Sequence, residues 1–236
     1  MTSATTFPIQ VQIAGVMDLA EARMLLAAGV DWLGWPLRLP VNAEDLSEDD
    51  AADLIRSLPP PDRHVLITYE ETAAGTAAFC RKLGVNRVQL HGPVPVSELR
   101  RLRELCPDLF VIKSLVVRPG NEAALQALVH EAAPWVDAFV TDTFDPATGA
   151  EGATGRTHDW SISQRLVAAS PRPIILAGGL RPDNVAAAIR AVRPAAVDSH
   201  TGVEGPSGRK DPDRVRRFVA AARAAFAEWE SVHVGN

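Results

Sequence analysis

Two kinds of hydrophobic pattern alternate along the chain. Short apolar or β-branched runs, of strand length, are each followed by a longer stretch in which apolar positions recur every three or four residues. The short runs predict strands over 11–15, 31–35, 65–69, 87–91, 110–115, 138–142, 173–177 and 195–199. The longer ones predict helices over 19–28, 48–58, 73–83, 97–105, 122–132, 159–169, 182–192 and 211–229. Asp18, Ser47 and Thr72 stand just before the first three helices, where a side-chain oxygen can accept from orphan first-turn amides. Pro182 suits a first helical turn, and Gly29 and Gly84 suit helix ends that need a left-handed residue.

A strand followed by a helix, repeated eight times, predicts an α/β fold with a parallel sheet. An open doubly wound sheet shows the same alternation, but eight units are the number that closes a (β/α)8 barrel. At 236 residues with no linker or composition break, the chain is expected to be one such barrel domain over 1–236. In a barrel the residues at the carboxyl ends of the strands build the active site, and the opposite face serves stability. Polar residues are therefore sorted by that position.

Strand seven runs into Gly178-Gly179-Leu180-Arg181-Pro182-Asp183-Asn184, and strand eight into Ser199-His200-Thr201-Gly202-Val203-Glu204. Gly178, Gly179, Thr201 and Gly202 strip both ends of bulk and let backbone N–H groups approach an anion, so they are the expected phosphate-binding residues. Strand four ends Val88-Gln89-Leu90-His91-Gly92, where the period of two sends Gln89 and His91 to one side, as a polar ligand requires. Lys113 in strand five is grouped with them, because a buried ammonium needs a carboxylate or a ligand anion. Asp142, at the end of strand six, is the candidate general acid or base, and Asp198 is a second carboxylate expected to reach the pocket.

Composition narrows the partners. The net charge of −5 and a pI near 5.7 leave no basic stripe for nucleic acid. No apolar run approaches the length of a membrane span, and the first ten residues lack the layout of a signal peptide, so a cytoplasmic protein is expected. Cys80 and Cys106 sit inside amphipathic helical patterns and read as small hydrophobes rather than a bridge or metal site. The six histidines show no metal spacing and no nucleotide motif is present, so a reaction without metal or cofactor is expected.

With those segments assembled, the chain resembles the phosphoribosylanthranilate isomerase family of tryptophan biosynthesis along nearly its whole length. The resemblance is carried by Val88-Gln89-Leu90-His91-Gly92, by Leu176 through Val185, and by Val197-Asp198 continuing to Thr201-Gly202-Val203-Glu204. Gly152-Ala153-Thr154-Gly155 followed by Asp159-Trp160, and Gly208-Arg209-Lys210-Asp211, add to it. It implies a barrel of the ribulose-phosphate-binding type and an Amadori rearrangement, in which the ribose ring of an N-linked phosphosugar opens and a proton moves to give an aminoketose. It further implies that Asp142 is the general acid.

Two positions depart from the family pattern. Ala14 stands at the end of strand one, where the family carries a cysteine that acts as general base, and Asn42-Ala43-Glu44-Asp45-Leu46 stands where an arginine would grip the anthranilate carboxylate. Arg38 is a nearby candidate to substitute for that arginine, and Asp18, His91 and Asp198 are candidate replacements for the base. The expected partner is a phosphorylated sugar or amino-sugar. Beside an isomerase, a phosphosugar-binding sensor or partner subunit, or a different phosphosugar epimerase or lyase, stays open on this reading.

Overall fold

The computed structural model describes residues 7, 10–40, 45–58, 60–143 and 157–233. Eight parallel strands close into a barrel in sequence order: β1 (Val11–Ala14), β2 (Trp32–Pro36), β3 (His64–Thr68), β4 (Arg87–Leu90), β5 (Phe110–Val117), β6 (Ala138–Thr143), β7 (Ile174–Leu176) and β8 (Ala196–Ser199). Each pairs with the next, and β8 pairs back with β1 through Gln12↔Asp198 and its neighbours. Around them lie α1 (Leu19–Ala27), α2 (Glu48–Ser57), α3 (Ala73–Leu83), α4 (Val96–Leu105), α5 (Glu122–Ala132), α6 (Trp160–Ala169), α7 (Val185–Val192) and α8 (Pro212–His233).

Every predicted strand and helix forms, with shifts at the ends. The predicted N-caps hold: Asp18, Ser47 and Thr72 each accept from the amide three residues on. Gly29 and Gly84 take the positive φ values, +90° and +74°, that end α1 and α3. Helix α7 is the correction, starting at Val185 rather than 182. There the Asn184 side chain accepts from the Arg181 amide at 2.7 Å and donates to the Gly179 carbonyl at 3.0 Å, which fixes a turn in place of the first helical turn.

Alternation along the strands sorts residues into two apolar layers. Ile13, Leu33, Leu66, Val88, Val111 and Phe139 pack outward against the helices, whereas Ala14, Trp32, Val65, Ile112, Val140, Ile175 and Ala196 fill the barrel. Trp32 and Trp35, an odd number of residues apart, fall on opposite sides. Trp32 packs edge-on to Phe110 at 5.4 Å and to Phe7 at 6.0 Å and, with them, forms an aromatic floor, while Trp35 bonds His64 in the outer layer at 3.1 Å. The amino end is thereby sealed, and the polar residues of the interior lie toward the carboxyl ends of the strands. Cys80 is buried, its thiol pushed up to about 12 by burial, and both cysteines are free. Among the described residues no helix is long and apolar enough to cross a membrane.

Candidate active site at the carboxyl ends of the strands

Above the apolar layer the inward positions of β1, β4, β6 and β8 turn polar. Gln12 Nε2 donates to Gln89 Oε1 at 2.9 Å, and the Gln89 amide in turn meets His91 Nε2 at 2.9 Å. An amide N–H can only donate, so His91 Nε2 is the acceptor and the neutral ring carries its proton on Nδ1. Burial, reinforced by the charge of Lys113, pushes the imidazole down to about 3, which keeps that neutral form. His91 Nδ1 faces Asp142 Oδ2 at 3.7 Å, while the Thr143 amide donates to Asp142 Oδ1 at 2.8 Å.

Asp198 completes this wall. Its carboxyl is pushed up to about 7, first by burial and then by the negative charge of Asp142, with the neighbouring Gln12 amide working in the other direction. Three buried atoms here, Gln12 Oε1, His91 Nδ1 and Asp198 Oδ1, have no hydrogen-bond partner among the described residues. An unmet buried polar atom costs about 1–3 kcal/mol, so three of them sharing the barrel mouth mark a place built to receive polar groups.

The two glycine-lined loops meet beside this wall. Gly178 and Gly179 have φ of +96° and +62°, and a Cβ on Gly178 would lie 2.2 Å from Thr143 Oγ1. A Cβ on Gly202 would lie 1.8 Å from the Leu180 carbonyl oxygen, and Ser199 Oγ donates to that same oxygen at 2.9 Å. The β7–α7 loop therefore touches both the residue after Asp142 and the β8–α8 loop, in which Thr201–Val203 form one turn of 3-10 helix. No side-chain cap covers the first turn of α7.

Four of the predicted residues, Gln89, His91, Asp142 and Asp198, thus come together beside the glycine loops. Lys113 borders them, its charge reaching His91 and its ammonium bonding Ser114 Oγ at 3.3 Å, but its side chain leaves β5 on the other side. It alternates with Ile112, which faces the interior, and shares its side with Val111 and Leu115 of the outer layer. Its ammonium donates to the carbonyls of Gly92 (2.9 Å), Ser114 (3.2 Å) and Leu90 (3.4 Å), holding the end of β4 to β5.

Arg38 is turned to another use than the proposed carboxylate grip. Its guanidinium bonds Glu48 at 2.8 Å and Glu70 at 3.2 Å and lies 3.9 Å over the Phe79 ring. Asp18 caps α1 and pairs with Arg209. Glu44 and the segment 152–155 lie outside the described residues.

Three residues were not singled out from the sequence. Gln12 lies two before Ala14 and so faces inward by the same alternation. His158, in the approach to α6, bridges Thr143 Oγ1 at 2.9 Å and Ser163 Oγ at 2.6 Å, and burial pushes it down to about 4. His200, two residues past Asp198, rests against Gly15 and lies 3.5 Å from Glu204. The period of two extends to Gln12 on β1 and one step past β8 to His200, whereas no periodicity reaches the loop that holds His158.

Comparison with known proteins agrees with this geometry. Residues 37–221 match the family model described as N-(5'-phosphoribosyl)anthranilate (PRA) isomerase. The chain is 34% identical to N-(5'-phosphoribosyl)anthranilate isomerase 2 of Methanosarcina mazei, over 97% of this chain and all of that one. It is 40% identical to the isomerase of Desulforudis audaxviator, over 92% of this chain and 98% of that one. Among solved structures, the isomerase of Thermotoga maritima superposes with a TM-score of 0.76 at 30% identity, covering 92% of this chain and 99% of that one. A phosphoribosylanthranilate isomerase solved in complex with reduced 1-(o-carboxyphenylamino)-1-deoxyribulose 5-phosphate gives 0.74 at 28% identity, with the same coverage. The chain belongs to the phosphoribosylanthranilate isomerase family.

Proposed function

We propose that this chain isomerises N-(5'-phosphoribosyl)anthranilate to the corresponding aminoketose phosphate, with Asp142 as the general acid that protonates the ribose ring oxygen. The observation that carries the reading is the contact between acid and anion loop: the Thr143 amide holds the Asp142 carboxylate, and the Thr143 hydroxyl packs against Gly178. A phosphate held by the backbone of Gly178, Gly179, Thr201 and Gly202 would place an attached ribose beside Asp142. Gln89 and His91 then orient the sugar from β4, and Asp198 does so from β8. His91 Nδ1–H is a donor, and a protonated Asp198 is both donor and acceptor, so ribose hydroxyls would satisfy the buried atoms left open there.

Purified protein offered phosphoribosylanthranilate should give saturable conversion to the aminoketose, with a loss of about 10²-fold to 10⁴-fold on Asp142→Asn. Saturable binding of the reduced product analogue with no conversion would replace the isomerase by a phosphosugar-binding barrel.

A further inference from the structure

Ring opening by an acid is half of an Amadori rearrangement; a second group must take the proton from C2 of the sugar. Strand β1 ends in Ala14, whose methyl takes no proton. Asp18 is engaged by α1 and Arg209, His91 is enclosed with Nε2 already accepting from Gln89, and Asp198, pushed up to about 7 by burial and by Asp142, holds a proton where a base must be free of one. The register of β1 with β8 brings a different group to the place. Val11↔Val197, Gln12↔Asp198 and Ile13↔Ser199 are paired, so the next step sets Ala14 beside His200.

The ring of His200 fills the space over the end of β1. A Cβ on Gly15 would lie 2.1 Å from His200 Nε2 and within 2.8 Å of two ring carbons, so the imidazole occupies the volume a side chain there would need. Gly15, at φ +78°, supplies that room. His200 keeps 25% of its side-chain surface exposed, unlike the enclosed His91 at 6%. It also leans away from the phosphate grip, since His200 rests on the β1–α1 loop while Gly202 presses on Leu180 of the β7–α7 loop. The same Nε2 lies 3.5 Å from Glu204 Oε1, itself held by Lys210 Nζ at 2.6 Å, which leaves Nδ1 as the nitrogen to take a proton from the substrate.

Resting on the isomerase reading above, we propose that His200 is the proton acceptor of the reaction, standing at the β8–β1 seam across the barrel mouth from Asp142 on β6. The proton that Asp142 and Asp198 share leaves from Asp142 to the ring oxygen as the C1–O bond breaks and the nitrogen lone pair closes a C1=N bond. His200 takes the C2 proton; the C–H electron pair forms C1=C2, and the C=N π pair returns to nitrogen. The resulting enolamine gives its enol O–H proton back to Asp142 while C1 takes a proton from the imidazolium, leaving the aminoketose and both groups reset. Burial and the charge of Lys210 push the His200 imidazole down to about 3, so at neutral pH its lone pair is available. The Glu204 carboxylate steadies the imidazolium once formed.

The test uses the full chain with phosphoribosylanthranilate, unlabelled and deuterated at ribose C2. His200→Asn and His200→Ala should each lower kcat by about 10²-fold to 10⁴-fold with KM within about threefold, and raise the isotope effect on kcat because proton removal becomes limiting. A purely positional histidine would not move the isotope effect. If both variants keep the parent kcat while Asp142→Asn abolishes it, the isomerase reading stands and the assignment to His200 falls. If the parent is inactive but Ala14→Cys turns over, His200 is likewise overturned. If neither turns over, the isomerase reading itself fails and the proposal falls with it.

Discussion

His91 presents Nδ1 to Asp142 Oδ2 at 3.7 Å, and the Gln89 amide at its other nitrogen decides which one carries the proton. The pair is a relay of orientation. Gln12 holds Gln89, Gln89 holds His91, and His91 offers a single donor toward the acid. Replacing Gln89 by Leu removes the middle member and leaves both the Gln12 amide and His91 Nε2 without their buried partner. The expected cost is about 2–4 kcal/mol of stability, from two groups at roughly 1–3 each with partial relaxation. Urea unfolding of Gln89→Leu against the parent checks it, and an unchanged midpoint would mean that the network carries no load.

Arg38 has a defined alternative to substrate binding, and the two uses predict opposite results. Its guanidinium is 40% exposed and engages Glu48 and Glu70 while lying over Phe79. Arg38→Ala should therefore lower stability by about 1 kcal/mol or less, the range for exposed pairs with some stacking, and leave KM for phosphoribosylanthranilate within about twofold. A tenfold or greater rise in KM would return Arg38 to the carboxylate grip.

The glycine loops make the sharpest steric prediction. A methyl on Gly202 would sit 1.8 Å from the backbone oxygen of Leu180, which cannot swing aside as a flexible side chain would. Gly202→Ala must push the β7–α7 and β8–α8 loops apart. KM for the phosphorylated substrate, and the inhibition constant of inorganic phosphate, should both rise at least tenfold, with kcat affected less. A kcat defect at unchanged KM would place the phosphate elsewhere.

How much of this was legible beforehand follows from the range of the interactions involved. Alternation within one strand is local and sends Gln89 and His91 to one side, whereas Asp142 and Asp198 follow only from their places at the ends of β6 and β8. Alternation with Ile112 starts the Lys113 side chain on the outer side of β5, yet its ammonium ends on the Gly92 carbonyl and Ser114 Oγ beside His91, a reach that alternation alone does not express. Propensity starts α7 at Pro182, which suits a first turn, but two side-chain bonds of Asn184, which propensity does not contain, move the start to Val185. The contact of His200 with Gly15 joins opposite ends of the chain. It exists only once β8 closes on β1, a relationship that no local pattern expresses.

Asp198 should leave a signature in the pH dependence of stability. Its folded-state value of about 7 lies above the ordinary 3.8, so the folded chain binds its proton more tightly than the unfolded chain does. The stability this contributes is fully present below about pH 4 and is lost as pH rises through 7, at no more than about 1.4 kcal/mol per pH unit. Buried His91, His158 and His200, all pushed down from 6.5, have the opposite effect, and their loss of stability sets in as pH falls below that value. Subtracting a variant isolates the carboxylate. The melting temperature of Asp198→Asn minus that of the parent should climb between pH 4 and 7 and level off above, since Asn keeps the shape without the charge. The second cause of the shift is the charge on Asp142, so in an Asp142→Asn background the same climb should end at a lower pH. A difference flat across the whole range would show that Asp198 ionises freely, and would remove the pair of unlike carboxylates from the site.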